Sequence, residues 1–357
     1  MLIVSITQRD IARALNVSVT TVSNALRGQG RVSEELRTKI LEMASRKGYF
    51  QTRLATTPML GAIVCNTPQD PTQGSGDGTS SIQSASYFSV QAIEGIQSVI
   101  KEQGYSLVYH VMQGLDDGGV LPDMITHGLV QGVFLIGGSI SDQYIAKVAN
   151  TGLPVVLLFT EVDIVDLNTI LANNRQGAYK AVKHLLELGH RRIGFINGWQ
   201  STHTSEMKMM GYEKALHEYN LPVEEELCLS ADFTRRGGRQ AMEQLLTLVP
   251  RPTAVFVADD IMAIGAMEAC HERQLNIPTD IAIVGFGDSP LAVGAMPALT
   301  TVHVSKHKIG ELAAKRMLQL LEDPNQEIQH LTVSCRVICR QSCGCQQTQS
   351  QGNNHAS

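Results

Sequence analysis
Between residues 60 and 285 the chain alternates short, almost wholly apolar runs with longer stretches of helical spacing. The runs fall at 60–65, 106–111, 132–136, 154–159, 192–196, 253–257 and 281–285. Helical patterns lie between them at 90–103, 176–188, 206–219, 236–248 and 261–273. A strand with one wet face alternates apolar and polar residues, whereas a run that is apolar throughout belongs in a sheet covered on both faces. Strand–helix alternation of this kind builds doubly wound parallel α/β sheets. The pattern outlasts what one sheet needs, so two sheets in two lobes are expected. Ligands of such folds bind at the carboxyl ends of the strands, here in the cleft between the lobes.

The first 56 residues follow a different rule. They carry nine basic residues (Arg9, Arg13, Arg27, Arg31, Arg37, Lys39, Arg46, Lys47, Arg53) against four acids (Asp10, Glu34, Glu35, Glu42). That segment is +5 in a chain of 357 residues with a formal net charge of −5, which leaves −10 on the remainder. A basic unit on an acidic body is the charge layout of a nucleic-acid-binding head on a separate core. A charged, solvated helix surface would give the same count, so the order of residues decides.

That order reads as three helices. Thr7 is a good N-cap, with Ile11, Ala12 and Leu15 on one face behind it. Asn16-Val17-Ser18 breaks the pattern, and Ser18 caps a second helix with Val22, Ala25 and Leu26 at helical spacing. A Gly28-Gln29-Gly30 loop follows, and Ser33 caps a third helix bearing Leu36, Ile40, Leu41 and Ala44. Two short helices joined by a three-residue turn and braced by a third make a helix-turn-helix. Its second helix enters the major groove, N-terminal residues first. The outward residues there, Val19, Thr20, Ser23 and Asn24, are small and polar enough to enter a groove. They offer a methyl contact for thymine and an amide that can bond adenine bidentately.

The run from Asp10 to Leu26 (DIARALNVSVTTVSNAL), followed by Arg31-Val32-Ser33 and Gly48-Tyr49, resembles the DNA-binding head of the lactose-repressor (LacI/GalR) family of bacterial transcription regulators. The resemblance continues through Asn173-Asn174 with Gly177, Leu188-Gly189-His190-Arg191, Gly211-Tyr212, 251–256, 260–265 and 297–302, and so covers nearly the whole chain. It implies that Val19, Thr20 and Asn24 read bases, while Thr7, Ser18, Thr21 and Ser23 bond phosphates and fix register. It also implies a two-lobed effector domain similar to periplasmic sugar-binding proteins, a homodimer, and a pseudo-palindromic operator read by two heads. The implied layout is a head at 1–50, a short hinge at 51–58 and an effector domain at 59–345. Lobe 1 would comprise 59–173 and 303–330, lobe 2 174–302 and 331–345. The Gln-, Asn- and Ser-rich tail 346–357 is expected to be disordered.

Matching anchored on these landmarks places effector contacts at Tyr87, Phe88, Thr202, Thr204, Lys208, Phe233, Asp259 and Asp288. The sequence departs from the family at several of them. Thr202 and Lys208 stand where relatives often carry Arg, Asn173 replaces a usual Asp, and Gly285–287 lacks a frequent acid. Without Arg at 202, bidentate capture of a carboxylate or a planar base is disfavoured. A sugar or sugar derivative, hydrogen-bonded by Asp and Thr against a Phe face, is the expected effector, with a nucleobase-type ligand and an activator role as alternatives. The family's hinge helix wedges a leucine into the minor groove. Here the span from Tyr49 to Leu60 is shorter, and Pro58 disfavours helix at Thr57. One turn at 51–55 with Leu54 as wedge, or a plain extended tether, are the two readings.

Rival classes fare worse. Asp259-Asp260 could pass for paired catalytic carboxylates, but neighbours in sequence do not face each other, and Asp260 reads as a helix N-cap. Neither a nucleophile elbow nor a phosphate-binding loop with its lysine is present, so no enzyme and no cofactor is expected. The stretch 69–86 reads as a surface loop. Cys335, Cys339, Cys343 and Cys345 lack the Cys-x2-Cys spacing of zinc knuckles, and the first two read as small hydrophobes on one face of a final strand, so no metal is expected. The N-terminus lacks a signal peptide's basic start and long apolar run, and no stretch reaches the ~18 apolar residues of a membrane span. A soluble, cytoplasmic protein without membrane contact is expected. A periplasmic solute-binding protein is argued against by the same N-terminus and the basic head.

Overall fold
The computed structural model describes residues 7–27, 32–46, 58–65, 80–112, 116–138, 140–199 and 202–345. These residues form two units, a small helical head and a large α/β body.

In the head, α1 (Gln8–Leu15), α2 (Val19–Arg27) and α3 (Glu34–Arg46) close over one core. Ile11, Ala12, Val22, Ala25, Ile40 and Ala44 fill it, with Leu15, Val17, Leu26, Val32 and Leu36 packed at its edge. Thr7 caps α1 through a reciprocal box with Asp10, whose carboxylate accepts the Thr7 amide at 2.9 Å. Asn16 ends α1 in the left-handed region at φ 53°, a conformation that Asn tolerates better than most residues. This turns the chain within three residues, so that Ser18 can start α2. The spacing-based reading of the head holds for the described residues.

The body contains β1 (Met59–Cys65), α4 (Ser80–Ile100), β2 (Ser106–Met112), α5 (Asp123–Thr126), β3 (Val133–Ile136), α6 (Asp142–Ala149), β4 (Val155–Leu158) and β5 (Asn168–Ala172). It continues with α7 (Asn174–Glu187), β6 (Ile193–Asn197), α8 (His203–Glu218), β7 (Cys228–Ser230), α9 (Arg235–Leu245), β8 (Ala254–Val257) and α10 (Asp260–Glu272). The last elements are β9 (Ala282–Gly287), α11 (Pro290–Gly294), β10 (Thr300–His303), α12 (Lys306–Glu322), β11 (His330–Val333) and β12 (Arg336–Ile338). Two six-stranded sheets result, in the orders β11-β5-β4-β3-β1-β2 and β12-β10-β9-β8-β6-β7. Pairings within them are parallel from β1 to β3, β4, β5 and β11, and from β7 to β6, β8, β9 and β10. Strand β12 runs antiparallel to β10. Strands β3, β4 and β8 are buried at every residue, as continuous apolar runs require.

Helices cover both sheets, and the pairs α4 with α12, α7 with α8 and α9 with α10 pack closely. At the first of these crossings a Cβ on Gly95 would lie 2.1 Å from the His307 carbonyl oxygen, so only glycine lets the two backbones meet. Arg316 of α12 is fully buried; its Nε donates to Asn168 Oδ1 at 2.7 Å and its Nη1 to Gln326 Oε1 at 2.8 Å, tying α12 to β5.

Several expectations need correction. Strands β5, β7, β10 and β11 were not among the expected runs, because their Asn, Thr, Ser and His residues break the apolar signature. Part of the expected loop 69–86 is helix: α4 begins at Ser80, in a stretch free of Gly and Pro until Gly95. The lobe borders shift by a few residues. Leu331–Val333 pair with β5 in the first sheet rather than belonging to lobe 2, and His303 pairs with Gly287 in the second. Cys335 and Cys339 do not share an apolar strand face. They flank β12, Cys335 buried and Cys339 exposed. The hinge positions 51–57, with Leu54, and the tail 346–357 lie outside the described residues.

Candidate DNA-reading helix and effector cleft
In the head, the Ser18 hydroxyl oxygen accepts the Thr21 amide at 2.9 Å and lies 2.8 Å from the Thr21 hydroxyl. This satisfies orphan donors at the start of α2 and sets its direction. Val22 and Ala25 point into the core, which turns the opposite side of α2 outward. Val19 is 41% exposed, Thr20 is exposed, and Thr21, Ser23 and Asn24 are half-buried. Thr7 and Ser18 are also exposed, each at a helix N-terminus, where the helix dipole and free amides favour a phosphate. The expected DNA contacts of the described head thus lie on accessible positions of α1 and α2.

In the body, the carboxyl ends of the strands surround a cavity of about 130 Å³. The first lobe contributes Cys65 at the end of β1, Phe88 of α4 and Phe159 just past β4. The second contributes Thr204 and Lys208 of α8, Phe233 before α9, Asp259 after β8, and Phe286 of β9. Phe88 and Phe159 meet edge to face at 4.4 Å between centroids. Phe233 reaches its place through a left-handed backbone at φ 60°. Its ring sits so close to Gly198 that a Cβ there would fall 1.9 Å from Phe233 Cζ. The glycine just after β6 therefore makes room for the aromatic wall.

Two titratable groups, Lys208 and Asp259, sit within this apolar lining. Lys208 Nζ donates to the Ala258 carbonyl at 3.0 Å and lies 4.5 Å from the Phe286 centroid and 5.8 Å from that of Phe233. Burial lowers its pKa to about 8. Asp259 Oδ1 accepts the Ile261 amide at 2.8 Å, so Asp259 rather than Asp260 is the N-cap of α10. Burial, and then the charge of Asp260, raises its carboxyl to about 7. Asp260 instead turns inward, accepting the Ser289 amide at 2.6 Å and the Thr301 hydroxyl at 2.5 Å. The expected N-cap was one residue late because the local sequence does not separate two adjacent aspartates.

Five expected effector residues therefore meet at one cavity: Phe88, Thr204, Lys208, Phe233 and Asp259. Thr202 lies at a neighbouring, more open polar recess of about 670 Å³. Its hydroxyl sits 3.0 Å from the Trp199 carbonyl oxygen and 2.8 Å from Ser205 Oγ as the cap of α8. Asp288 lies outside both lining sets. Its carboxylate is held by Arg340 Nη2 at 2.6 Å and His303 Nδ1 at 2.7 Å. The side chain of Tyr87 is not among those described. Phe159, Phe286 and Cys65 were not anticipated, although each stands at or beside the carboxyl end of an apolar run, the position at which such folds bind ligands.

A model of bacterial regulatory proteins of the lacI family matches residues 7–51, and one of a periplasmic binding protein-like domain matches 182–343. The chain is 31% identical over 338 residues to the probable HTH-type transcriptional repressor ExuR of Bacillus subtilis, covering 94% of this chain and 98% of that one. It is 30% identical over 347 residues to the ribose operon repressor of Haemophilus influenzae, covering 94% and 98%. Among solved structures it is similar to the transcriptional regulator CelR in complex with cellobiose, with a TM-score of 0.70 at 24% identity over 94% of this chain and 99% of that one. The lac repressor dimer bound to operator and an anti-inducer gives a TM-score of 0.68 at 23% identity over 95% and 99%. These last two likenesses concern the fold. No helix among the described residues is long and apolar enough to cross a membrane. With two repressors at 30% identity or more aligned along almost their full length, the chain belongs to the LacI family of bacterial regulatory proteins.

Proposed function
We propose that this chain is a cytoplasmic, homodimeric repressor that binds a pseudo-palindromic operator through α2 and responds to a small sugar or sugar derivative held in the cavity between the two sheets. The observation that carries the effector reading is the convergence of Lys208 and Asp259, from two different elements, on a cavity walled by Phe88, Phe159, Phe233 and Phe286. Sugars present apolar C–H faces and a rim of hydroxyls, and a mainly apolar site with a few placed polar groups matches that pattern. At about 130 Å³ the cavity is well below the ~300–1,000 Å³ of drug-sized sites, which favours a compact, monosaccharide-sized ligand. In the head, Val19, Thr20 and Asn24 read bases, and Thr7, Ser18, Thr21 and Ser23 hold the backbone. Leu54 would act as a wedge in the shortened hinge.

The test is to select operator sequences from a random pool with the purified full chain, then to measure anisotropy on the selected duplex. Neutral monosaccharides, sugar acids and purine bases are titrated into the complex. A sugar should shift operator affinity, and Phe233→Ala should remove the response. A response to purine bases alone would refute the sugar assignment. An absence of sequence preference in the selected pool would refute the operator reading.

A further inference from the structure
At the amino-terminal edge of the second sheet, opposite the cavity, residues 339–345 fold back against α7. Ser342 accepts the Ile283 amide on its carbonyl at 2.9 Å, and its hydroxyl oxygen accepts the Thr300 amide at 2.8 Å. This turn gathers Cys339, Cys343 and Cys345 beside His184, which stands in the last turn of α7. The four potential ligand atoms all lie within 4.8 Å of one another. His184 Nε2 is 3.2 Å from Cys343 Sγ. Cys343 and Cys345 are buried, His184 is half-buried and Cys339 is exposed. Gly344, between two of the cysteines, has φ +80°, and this left-handed residue lets Cys343 and Cys345 turn towards the same point.

We propose that the reduced chain binds one zinc-type divalent cation at this place through the thiolates of Cys339, Cys343 and Cys345 and the imidazole of His184. Three sulfurs and one nitrogen form a known structural zinc set, with ~2.3 Å Zn–S and ~2.0 Å Zn–N bonds in a tetrahedron. Ligand atoms around such an ion are separated by roughly 3.3–3.8 Å. The His184–Cys343 edge is already near that length, and the sulfurs of Cys339 and Cys345, bonded here, must separate to it once reduced. The Thr300 hydroxyl donates to Cys343 Sγ at 3.1 Å, an outer contact of the kind that orients a thiolate ligand. The Cys-x3-Cys-x-Cys spacing is unlike a zinc knuckle, and the histidine lies 155 residues before Cys339, so the sequence pattern does not display the set.

In this structure Cys339 and Cys345 are joined as a disulfide. The two forms are connected by a balanced exchange. A dithiol reductant attacks the Cys339–Cys345 bond, is itself oxidised to a disulfide, and leaves two protein thiols. Binding Zn²⁺ then releases three protons, one from each cysteine, while His184 coordinates as the neutral base. Either form pins residues 339–345 to the second sheet; the disulfide form meets α7 only through the 3.2 Å contact of His184 with Cys343, whereas the metal-bound form would join His184 to all three thiolates.

The test uses the full chain, reduced anaerobically with a phosphine, loaded with Zn²⁺ and dialysed. Metal analysis should find about one zinc per chain. Cobalt substitution should give the visible bands of a tetrahedral thiolate complex. Cys339→Ser, at an exposed position, should weaken zinc binding at least tenfold, and Cys343→Ser should do the same, whereas Cys270→Ala should not. Chain kept in the disulfide form should take up no zinc at this site. Reduced protein that retains no zinc after dialysis would overturn the proposal, as would zinc content unchanged in the Cys339→Ser and Cys343→Ser double variant.

Discussion

Lys208 places its ammonium 4.5 Å from the centroid of the Phe286 ring, across the floor of the cavity. A cation held against an aromatic face in a desolvated site contributes more than at the surface, about 2 kcal/mol or more. Its remaining hydrogen-bonding capacity beyond the Ala258 carbonyl is available to a ligand hydroxyl or carboxylate. Lys208→Met keeps the length of the stem and removes the charge. Effector affinity should fall by about 10- to 100-fold, in line with the ~1.5–3 kcal/mol of a charged hydrogen bond. Operator affinity without effector should stay within about twofold, because the substitution leaves the head untouched. Calorimetry for the effector and anisotropy for the operator separate the two.

Asp259 gives the cavity a pH dependence whose sign is fixed. Its folded carboxyl is raised from the ordinary 3.8 to about 7, so between those values the folded chain holds a proton that the unfolded chain has lost. Stability therefore declines as pH rises from about 4 to about 7 through this group. Lys208 acts at higher pH. Its folded pKa is lowered from 10.5 to about 8, so across that window the unfolded chain binds the extra proton and stability rises with pH through this group. Asp259→Asn keeps a cap for α10 and removes the titration. The melting temperature of the variant relative to the parent should therefore increase from pH 4 to pH 7. A constant difference across that range would show that Asp259 is not raised.

Asn24 lies half-buried on α2, past the exposed Val19 and Thr20. If its amide reads a base edge, Asn24→Ala should relax preference at one operator position by about 1–3 kcal/mol and leave the salt dependence nearly unchanged. Equal losses on operator and random duplexes would instead make it a positioning residue. Binding isotherms at several salt concentrations on both duplexes decide between them.

What could be read beforehand follows the range of the forces involved. The head was legible almost residue by residue, because Thr7, Ser18 and the Ile11–Val22–Ile40 core act through local caps and helical spacing. Buried strands such as β3, β4 and β8 announced themselves by unbroken hydrophobicity. Strands β5 and β10 did not. Asn168 and Thr300 satisfy partners far along the chain, Arg316 and Ser342, and so look like loop residues in isolation. The regular spacing of Ile309, Ala313, Met317 and Leu320 in α12 was present but lies after the last of the expected apolar runs, at 281–285. At the cavity, Phe233 and Asp259 came from landmark spacing. That spacing also pointed to Asp288, whose carboxylate is held by Arg340 from 52 residues away. A long-range ion pair leaves no trace in local sequence.

Asp260 tests how far the second lobe depends on one buried carboxylate. It is 1% exposed and accepts from the Ser289 amide and the Thr301 hydroxyl, joining α10 to the loop after β9 and to β10. Burial raises its pKa, opposed by the Ser289 amide and then by Thr301. Asp260→Ala removes both acceptors and leaves two donors in a site with little access to water. Each unsatisfied buried donor costs about 1–3 kcal/mol, so a loss of roughly 2–6 kcal/mol in unfolding free energy is expected. Asp260→Asn retains an acceptor oxygen and should recover part of that loss. Neither change alters the α2 surface, so operator affinity of the folded fraction should be preserved. Denaturant unfolding of the three proteins gives the ordering directly, and an alanine variant as stable as the parent would show that the two donors find other acceptors.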